Sequence, residues 1–227
     1  MLMVKENIAR LRGEIYRTAV QAGRNPADIR IIAVTKNVPV DRIVPALGEG
    51  VTDLGENRVQ ELLEKQPLLD PGLRWHMIGH LQTNKVKAVI GRISLIHSLD
   101  SWRLAVEIDG RSREAGIVSE VLVQVNVAGE ETKYGLGPLE AADFIREGMS
   151  LKGISIKGLM TIAPFTDDPG EVRPVFAKLR GLFNDIRKMM PEVPLTHLSM
   201  GMTNDCLVAV EEGATLLRIG TGIFGRR

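Results

Sequence analysis

The stretch VLVQVNV at residues 121–127 is the clearest buried strand in the sequence. Its four valines stand at alternate positions, and β-branched residues of this kind favour strands. Outward from it in both directions, short apolar runs alternate with longer amphipathic stretches. The apolar runs predict strands at residues 30–35, 50–54, 75–78, 95–98, 121–127, 156–162, 196–199 and 215–219.

The amphipathic stretches carry apolar residues at helical spacing. They predict one helix before the first strand, at residues 3–23, and seven between the strands, at 40–47, 57–65, 83–90, 101–115, 138–147, 169–189 and 203–212. Strands that alternate with helices imply a parallel sheet, and eight such units close a barrel. The sequence therefore predicts the α/β class and one domain over residues 1–227. That domain is a single (β/α)8 TIM barrel with an extra N-terminal helix, which fills the place of a helix after strand eight. An open doubly wound sheet is the alternative.

The composition excludes several classes of protein. Hydrophobic residues make up 44% of the 227 residues, as in an ordinary globular protein. With 29 basic and 28 acidic residues the net charge is +1, so nothing favours nucleic acid or an anionic membrane as a partner. The single cysteine, Cys206, cannot form a disulfide within the chain, and no apolar run resembles a signal peptide or a membrane span. We therefore expect a cytoplasmic protein.

Lys36 directly follows the first predicted strand. The working residues of such barrels lie at the carboxyl ends of the strands, so this amine should point into the barrel mouth. A desolvated lysine has a lowered pKa and can attack an aldehyde. The alternative is an ordinary solvated lysine at the end of a strand.

The last two strand ends resemble a phosphate site. Residues 199–201, Ser-Met-Gly, lead to Thr203, which is predicted to cap the next helix. Residues 220–222, Gly-Thr-Gly, offer backbone amides and a hydroxyl. Barrels often hold phosphate at the loops after strands seven and eight, although glycines of tight turns are an equal alternative.

Five further basic or titratable residues fall on or near strands. Arg218 lies on a strand that looks buried and therefore needs a partner, either a ligand ring or a carboxylate of the barrel. The four histidines, His76, His80, His97 and His197, match no standard zinc spacing. We predict that they pack in the barrel and bind no metal. A metal-dependent barrel hydrolase remains an alternative function.

Five segments together resemble one family. They are AVTKNVPVDRI (33–43), DLGENRVQE (53–61), WHMIGHLQTNK (75–85), GLMTI (158–162) and LSMGMTNDCLVAVEEGATLLRIGTGIFG (198–225). In order and spacing they are similar to the YggS-like pyridoxal phosphate homeostasis proteins, whose fold resembles the barrel domain of alanine racemase. The resemblance covers nearly the whole chain.

The resemblance implies a bound cofactor, pyridoxal 5′-phosphate (PLP), held as a Schiff base on Lys36. It implies that Arg218 faces the pyridine nitrogen and that Asn57 lies near the cofactor edge. It also implies that Met160 and the segment 76–80 line the pocket. The residues that it implies for the phosphate are Ser199, Gly201, Gly220 and Thr221.

The function implied by the resemblance is PLP binding in vitamin B6 homeostasis, without catalytic turnover. Its partners would be PLP and related B6 vitamers, with PLP-requiring apoenzymes as recipients; a monomer is expected and a dimer is the alternative. A PLP-dependent racemase is the alternative function. It would need a second base on the opposite face of the cofactor ring, a role that a tyrosine from another domain has in the racemases. Tyr16 and Tyr134 are the only tyrosines in this sequence. Tyr16 falls in the first predicted helix, and packing or a loop contact is the expected role of Tyr134.

Overall fold

Eight parallel strands form a closed barrel in the computed structural model, which describes residues 2–130 and 133–225. Each strand pairs with the next, and the last pairs with the first, with Ile32 opposite Arg218. The (β/α)8 prediction is confirmed, and the open-sheet alternative is wrong. The strands are β1 (Arg30–Val34), β2 (Asp53–Glu56), β3 (Arg74–Met77), β4 (Leu95–Leu99), β5 (Ser119–Gln124), β6 (Ile154–Met160), β7 (His197–Ser199) and β8 (Leu216–Ile219).

Helices surround the barrel. They are α1 (Leu2–Gln21), α2 (Val40–Gly48), α3 (Val59–Lys65), α4 (Val86–Val89), α5 (Trp102–Glu114), α6 (Ala141–Gly148), α7 (Arg173–Met189), α8 (Cys206–Glu211) and α9 (Thr221–Phe224). Helix α1 packs against α2, α8 and α9, so it completes the outer ring beside the short α9, as predicted. Among the described helices, none has the length and apolar character needed to cross a membrane.

Several predicted strand bounds were displaced. The second strand, predicted at 50–54, begins later, and the fifth and sixth, predicted at 121–127 and 156–162, begin and end earlier. Val125 lies beyond the end of β5, and its amide still donates to the Met160 carbonyl oxygen at 2.8 Å. It forms an isolated bridge with Leu136, and both Val125 and Val127 are buried. The apolar pattern therefore continues past the end of β5, because side chains of the loop that follows the strand are also buried.

The barrel interior is partly polar. A small apolar cluster of Ile32, Leu95, Leu122, Met160 and Leu216 is separate from the main core, which lies between the strands and the helices. Barrels of this kind usually fill their interior with layers of branched aliphatic side chains. Here His76, His97, Ser199 and Arg218 are also buried on the strands. These polar groups lie below the end of the barrel that carries the predicted site.

Candidate functional site

A cavity of about 630 Å³ opens at the carboxyl ends of the strands. Five of the eight predicted site residues line it: Lys36, Asn57, Arg218, Gly220 and Thr221. An apolar part of the wall, which the sequence analysis missed, comes mainly from the loops after β6 and β7, with Ile162, Pro164, Phe165, Pro169 and Met202. The cavity therefore combines a primary amine, a guanidinium and a glycine loop with an apolar wall.

Lys36 is exposed at the cavity, two residues beyond Val34, the last residue of β1. Of the two interpretations of the sequence, a desolvated amine and a solvated lysine at the end of a strand, this exposure matches the second. The cavity is open to solvent at this end of the barrel, so the side chain keeps contact with water. Its position at the mouth agrees with the prediction.

Arg218 is buried on β8, with 4% of its surface exposed. Its two terminal nitrogens donate hydrogen bonds to Ser199 Oγ at 2.6 Å and to the Thr161 carbonyl oxygen at 2.8 Å. Burial lowers the pKa of Arg218 to about 10, against an opposing effect of the Asp205 charge. Among the described residues no carboxylate forms a salt bridge with it. A buried cation without a direct counter-ion favours a ligand that accepts hydrogen bonds.

A chain of hydrogen bonds runs from Arg218 through the barrel to Asp53 at the start of β2. Ser199 Oγ lies 2.8 Å from His97 Nδ1, His97 Nε2 lies 3.0 Å from His76 Nδ1, and His76 Nε2 lies 3.0 Å from Asp53 Oδ1. One tautomer pattern satisfies every contact: Ser199 accepts from Arg218 and donates to His97, which donates to His76, which donates to Asp53. The chain fixes the orientation of the Ser199 hydroxyl and, through it, the guanidinium.

His97 and Asp53 in this chain both have pKa values lowered from their ordinary values. Burial, together with the charges of His76 and Arg218, holds the pKa of His97 well below its ordinary value, so its ring is neutral near pH 7. Burial tends to raise the pKa of Asp53, but hydrogen bonds from His76 and Arg74 outweigh it and lower this pKa well below the usual range. The chain thus contains the neutral His97 imidazole and has an arginine cation at one end and an aspartate anion at the other.

Asp53→Asn should lower stability in a pH-dependent way. The depressed pKa in the folded state means that the stabilisation is complete above the unfolded pKa of about 3.9 and is lost as pH falls below it. We expect the variant to lose roughly 2 kcal/mol near pH 7, the usual contribution of hydrogen bonds to a charged group. Urea unfolding at several pH values measures the difference, which should shrink below about pH 4. A difference that stays constant with pH would contradict this account.

The loops after β7 and β8 meet at Thr203. The prediction that Thr203 caps a helix was wrong, because α8 begins at Cys206 and Asp205 occupies the cap position. Thr203 Oγ1 instead accepts hydrogen bonds from the Gly222 amide at 3.1 Å and from the Thr221 hydroxyl at 3.0 Å. Two hydroxyls and a glycine loop are thus brought together at the cavity, since Thr203 and Thr221 both line it.

Three predicted site residues do not line the cavity. Ser199 and Met160 are fully buried on their strands, and the Ser199 hydroxyl is already engaged by Arg218 and His97. Gly201 packs under α8, where a Cβ would lie 2.5 Å from Ala209 Cβ. Their contacts with a ligand stay predictions, and Ser199 acts on the cavity only through Arg218 in this structure.

The segment 76–80 is divided between several environments. Ile78 lines the cavity, while His76 belongs to the buried chain. His80 was predicted to pack in the barrel, but it lies at the mouth, 3.0 Å from Asp100 and stacked on Tyr134 with ring centroids 4.0 Å apart. In residues 2–130 and 133–225, no group of three or more His, Cys, Asp or Glu side chains is placed to hold a metal ion.

Comparison with known proteins agrees with this geometry. The family model described as "Alanine racemase, N-terminal domain" matches residues 7–227. An alanine racemase of Clostridium difficile shares the fold alone, at 16% identity and a TM-score of 0.73 over 100% of this chain and 57% of that one. The fold and the site therefore define a barrel of the alanine racemase type.

Closer relatives narrow the class. The pyridoxal phosphate homeostasis protein of Aquifex aeolicus is 44% identical over 98% of this chain and 97% of its own length, and that of Pseudomonas aeruginosa is 37% identical over 100% and 97%. PipY of Synechococcus elongatus, solved with PLP bound, is 35% identical, with a TM-score of 0.86 over 98% of this chain and 100% of that one. The chain belongs to the pyridoxal phosphate homeostasis protein family, as the sequence analysis predicted.

Proposed function

We propose that this chain binds PLP and acts in PLP homeostasis. The observation that carries the proposal is a single cavity that joins the Lys36 amine, the buried Arg218 guanidinium and the loop of Gly220 and Thr221. The names of the relatives and the PLP-bound structure of PipY support the same conclusion.

The residues present fit this cofactor. PLP supplies an aldehyde, which a primary amine such as that of Lys36 converts to a Schiff base. Arg218 offers more N–H donors than its two contacts with Ser199 and Thr161 use, so it can also donate to a ring nitrogen. Thr203 and Thr221 offer hydroxyls for a phosphate, at the position after strands seven and eight where barrels often hold one.

We propose binding and release without turnover. An arginine at the ring nitrogen disfavours protonation of the ring, and a racemase needs a further base at the substrate Cα. Tyr134 is 59% exposed and stacks on His80, and Tyr16 is 61% exposed on α1; neither lines the cavity. The racemase alternative predicts exchange of a substrate Cα proton in deuterated water that depends on Lys36. We expect none with common amino acids.

The proposal extends to the location, oligomeric state and partners of the protein. We place it in the cytoplasm as a monomeric single domain over residues 1–227, with PLP-requiring apoenzymes as the recipients of its cofactor. Mixing the loaded protein with an apoenzyme and following the gain of activity tests this transfer. Transfer no faster than free release of PLP would contradict a direct hand-over.

The absorbance spectrum of the purified protein, before and after borohydride, tests the function directly. A Schiff base gives a band at the violet edge of the visible range, which borohydride removes while it fixes the cofactor to the chain. Protein that shows no such band, even after incubation with PLP, would contradict the proposal.

Thr221→Ala should weaken the retention of PLP. On binding, the Thr221 hydroxyl would turn its one proton from Thr203 Oγ1 to the phosphate. The change removes this hydrogen bond, and a hydrogen bond to such a charged group contributes about 1.5–3 kcal/mol. We therefore expect affinity to fall at least about tenfold, measured by equilibrium dialysis. Thr196→Ala is a matched control, because Thr196 is an exposed threonine just before β7 and does not line the cavity. Equal affinities of the two variants would mean that the phosphate lies elsewhere.

A further inference from the structure

The backbone around Lys36 adopts an unusual conformation. Val38 N donates to the Thr35 carbonyl oxygen at 2.9 Å, so Lys36 and Asn37 form a tight turn. Asn37 has a φ of +54°, the sole left-handed φ of a non-glycine residue in the part of the chain that the structure describes. Asparagine adopts this conformation more readily than most L-residues, but it remains less favourable than the right-handed regions. Contacts of the turn with the rest of the chain can therefore stabilise it.

Two side chains of α3 hold the turn on both sides of Lys36. Lys65 Nζ donates to the Thr35 carbonyl oxygen at 2.7 Å. Glu61 Oε2 accepts a hydrogen bond from the Asn37 amide at 2.7 Å. The peptide groups before and after Lys36 are thus each fixed by a charged side chain from a neighbouring helix.

These two side chains belong to a buried charged cluster. Lys65 Nζ also contacts Glu56 Oε1 at 2.7 Å and Glu61 Oε2 at 2.8 Å, and the Thr35 hydroxyl donates to Glu56 Oε1 at 2.6 Å. Glu56 and Thr35 are fully buried, and Lys65 is 8% exposed. Buried ion pairs are weak contributors to stability, and apolar replacements often serve as well. Stability alone is therefore a poor explanation of this cluster.

We propose that Glu61 and Lys65, supported by Glu56, are positioning residues that hold the Lys36 turn so that its amine meets an aldehyde in the cavity. This inference rests on the proposed function. In that reaction the Lys36 nitrogen attacks the aldehyde carbon and a C=N bond replaces the C=O bond. The carbonyl oxygen leaves as water with the two protons of the neutral amine. The cluster itself does not line the cavity, so it acts through the backbone of the turn.

The variant Glu61→Ala tests whether Glu61 positions the Lys36 amine or only stabilises the fold. Two ligands are compared: PLP, and pyridoxine 5′-phosphate, an alcohol that has the same ring and phosphate but cannot condense with an amine. We expect the variant to bind PLP about tenfold more weakly and to form the Schiff base more slowly, because one charge-assisted hydrogen bond to the turn is lost. Affinity for pyridoxine 5′-phosphate should stay within about twofold of the parent.

Two further variants sharpen the comparison. Glu61→Gln keeps an oxygen that can accept from the Asn37 amide, so it should retain most of the PLP affinity. Glu64→Ala removes an exposed acid from the same helix without touching the turn and should bind both ligands normally. Glu61 is partly exposed, so its removal leaves the fold in place, which thermal unfolding checks.

The outcomes are distinct. Loss of PLP affinity alone in Glu61→Ala, with recovery in Glu61→Gln, supports the positioning role. Equal losses for both ligands, or no loss for either, overturn it. Failure of the unmodified protein to bind either ligand would instead overturn the proposed function itself.

Discussion

Lys36→Ala is expected to abolish covalent attachment of PLP completely. The Schiff base needs a primary amine at the cavity, and the change removes the amine proposed to form it. The fold should be unaffected, because Lys36 is exposed and its side chain makes no hydrogen bond or salt bridge within the described residues. Mass spectrometry after borohydride treatment measures the attachment, and circular dichroism checks the fold.

Lys85→Ala is the control for this experiment. Lys85 lines a smaller neighbouring cavity with Asn57 and His80, so it is close to the mouth without belonging to the main site. It should retain the adduct, and pyridoxine 5′-phosphate should bind to both variants. An adduct that persists on another lysine in Lys36→Ala would show that Lys36 is not the residue that binds the cofactor covalently.

Alternation of apolar runs and amphipathic stretches was sufficient to predict the barrel. It also placed Lys36, Gly220 and Thr221 at one end of the barrel, because the carboxyl ends of parallel strands meet there, whereas the site roles of Asn57 and Arg218 came from the family resemblance. Local sequence did not reveal where each strand leaves the ladder, since that depends on its neighbour.

The functional role of several residues depends on contacts between distant elements. Thr203 has the sequence features of a helix cap, but its hydroxyl is engaged by the loop after β8, which follows 18 residues later. His76 and His97 were predicted to pack in the barrel; their hydrogen bonds to Asp53 and Ser199 require the register of four strands. Patterns within a single segment carry no information about such pairings.

Burying the charge of the Arg218 guanidinium by itself lowers the free energy of unfolding of the protein, because removing an ion from water is unfavourable. Desolvation of an ion costs several kcal/mol, and direct pairing with a carboxylate is the usual compensation. Here the guanidinium donates to two neutral acceptors, Ser199 Oγ and the Thr161 carbonyl oxygen, and each of these charge-assisted contacts contributes about 1.5–3 kcal/mol. The guanidinium makes no direct contact with the Asp53 carboxylate; hydrogen bonds through Ser199, His97 and His76 connect the two. A ligand that accepts a further hydrogen bond would therefore offset part of the desolvation cost.

Arg218→Met should consequently separate stability from binding. Without cofactor, we expect the variant to unfold at nearly the same urea concentration, because the desolvation that is relieved and the hydrogen bonds that are lost are both of several kcal/mol and offset each other. Its affinity for PLP should fall by about 100-fold, since a charged donor to the ring is lost. Arg173→Met, which removes an exposed arginine paired with Glu211 and Glu212, is the control and should bind PLP normally. A loss of more than about 3 kcal/mol in the cofactor-free Arg218 variant, with PLP affinity unchanged, would make the arginine a structural residue and would remove the cation from the proposed site.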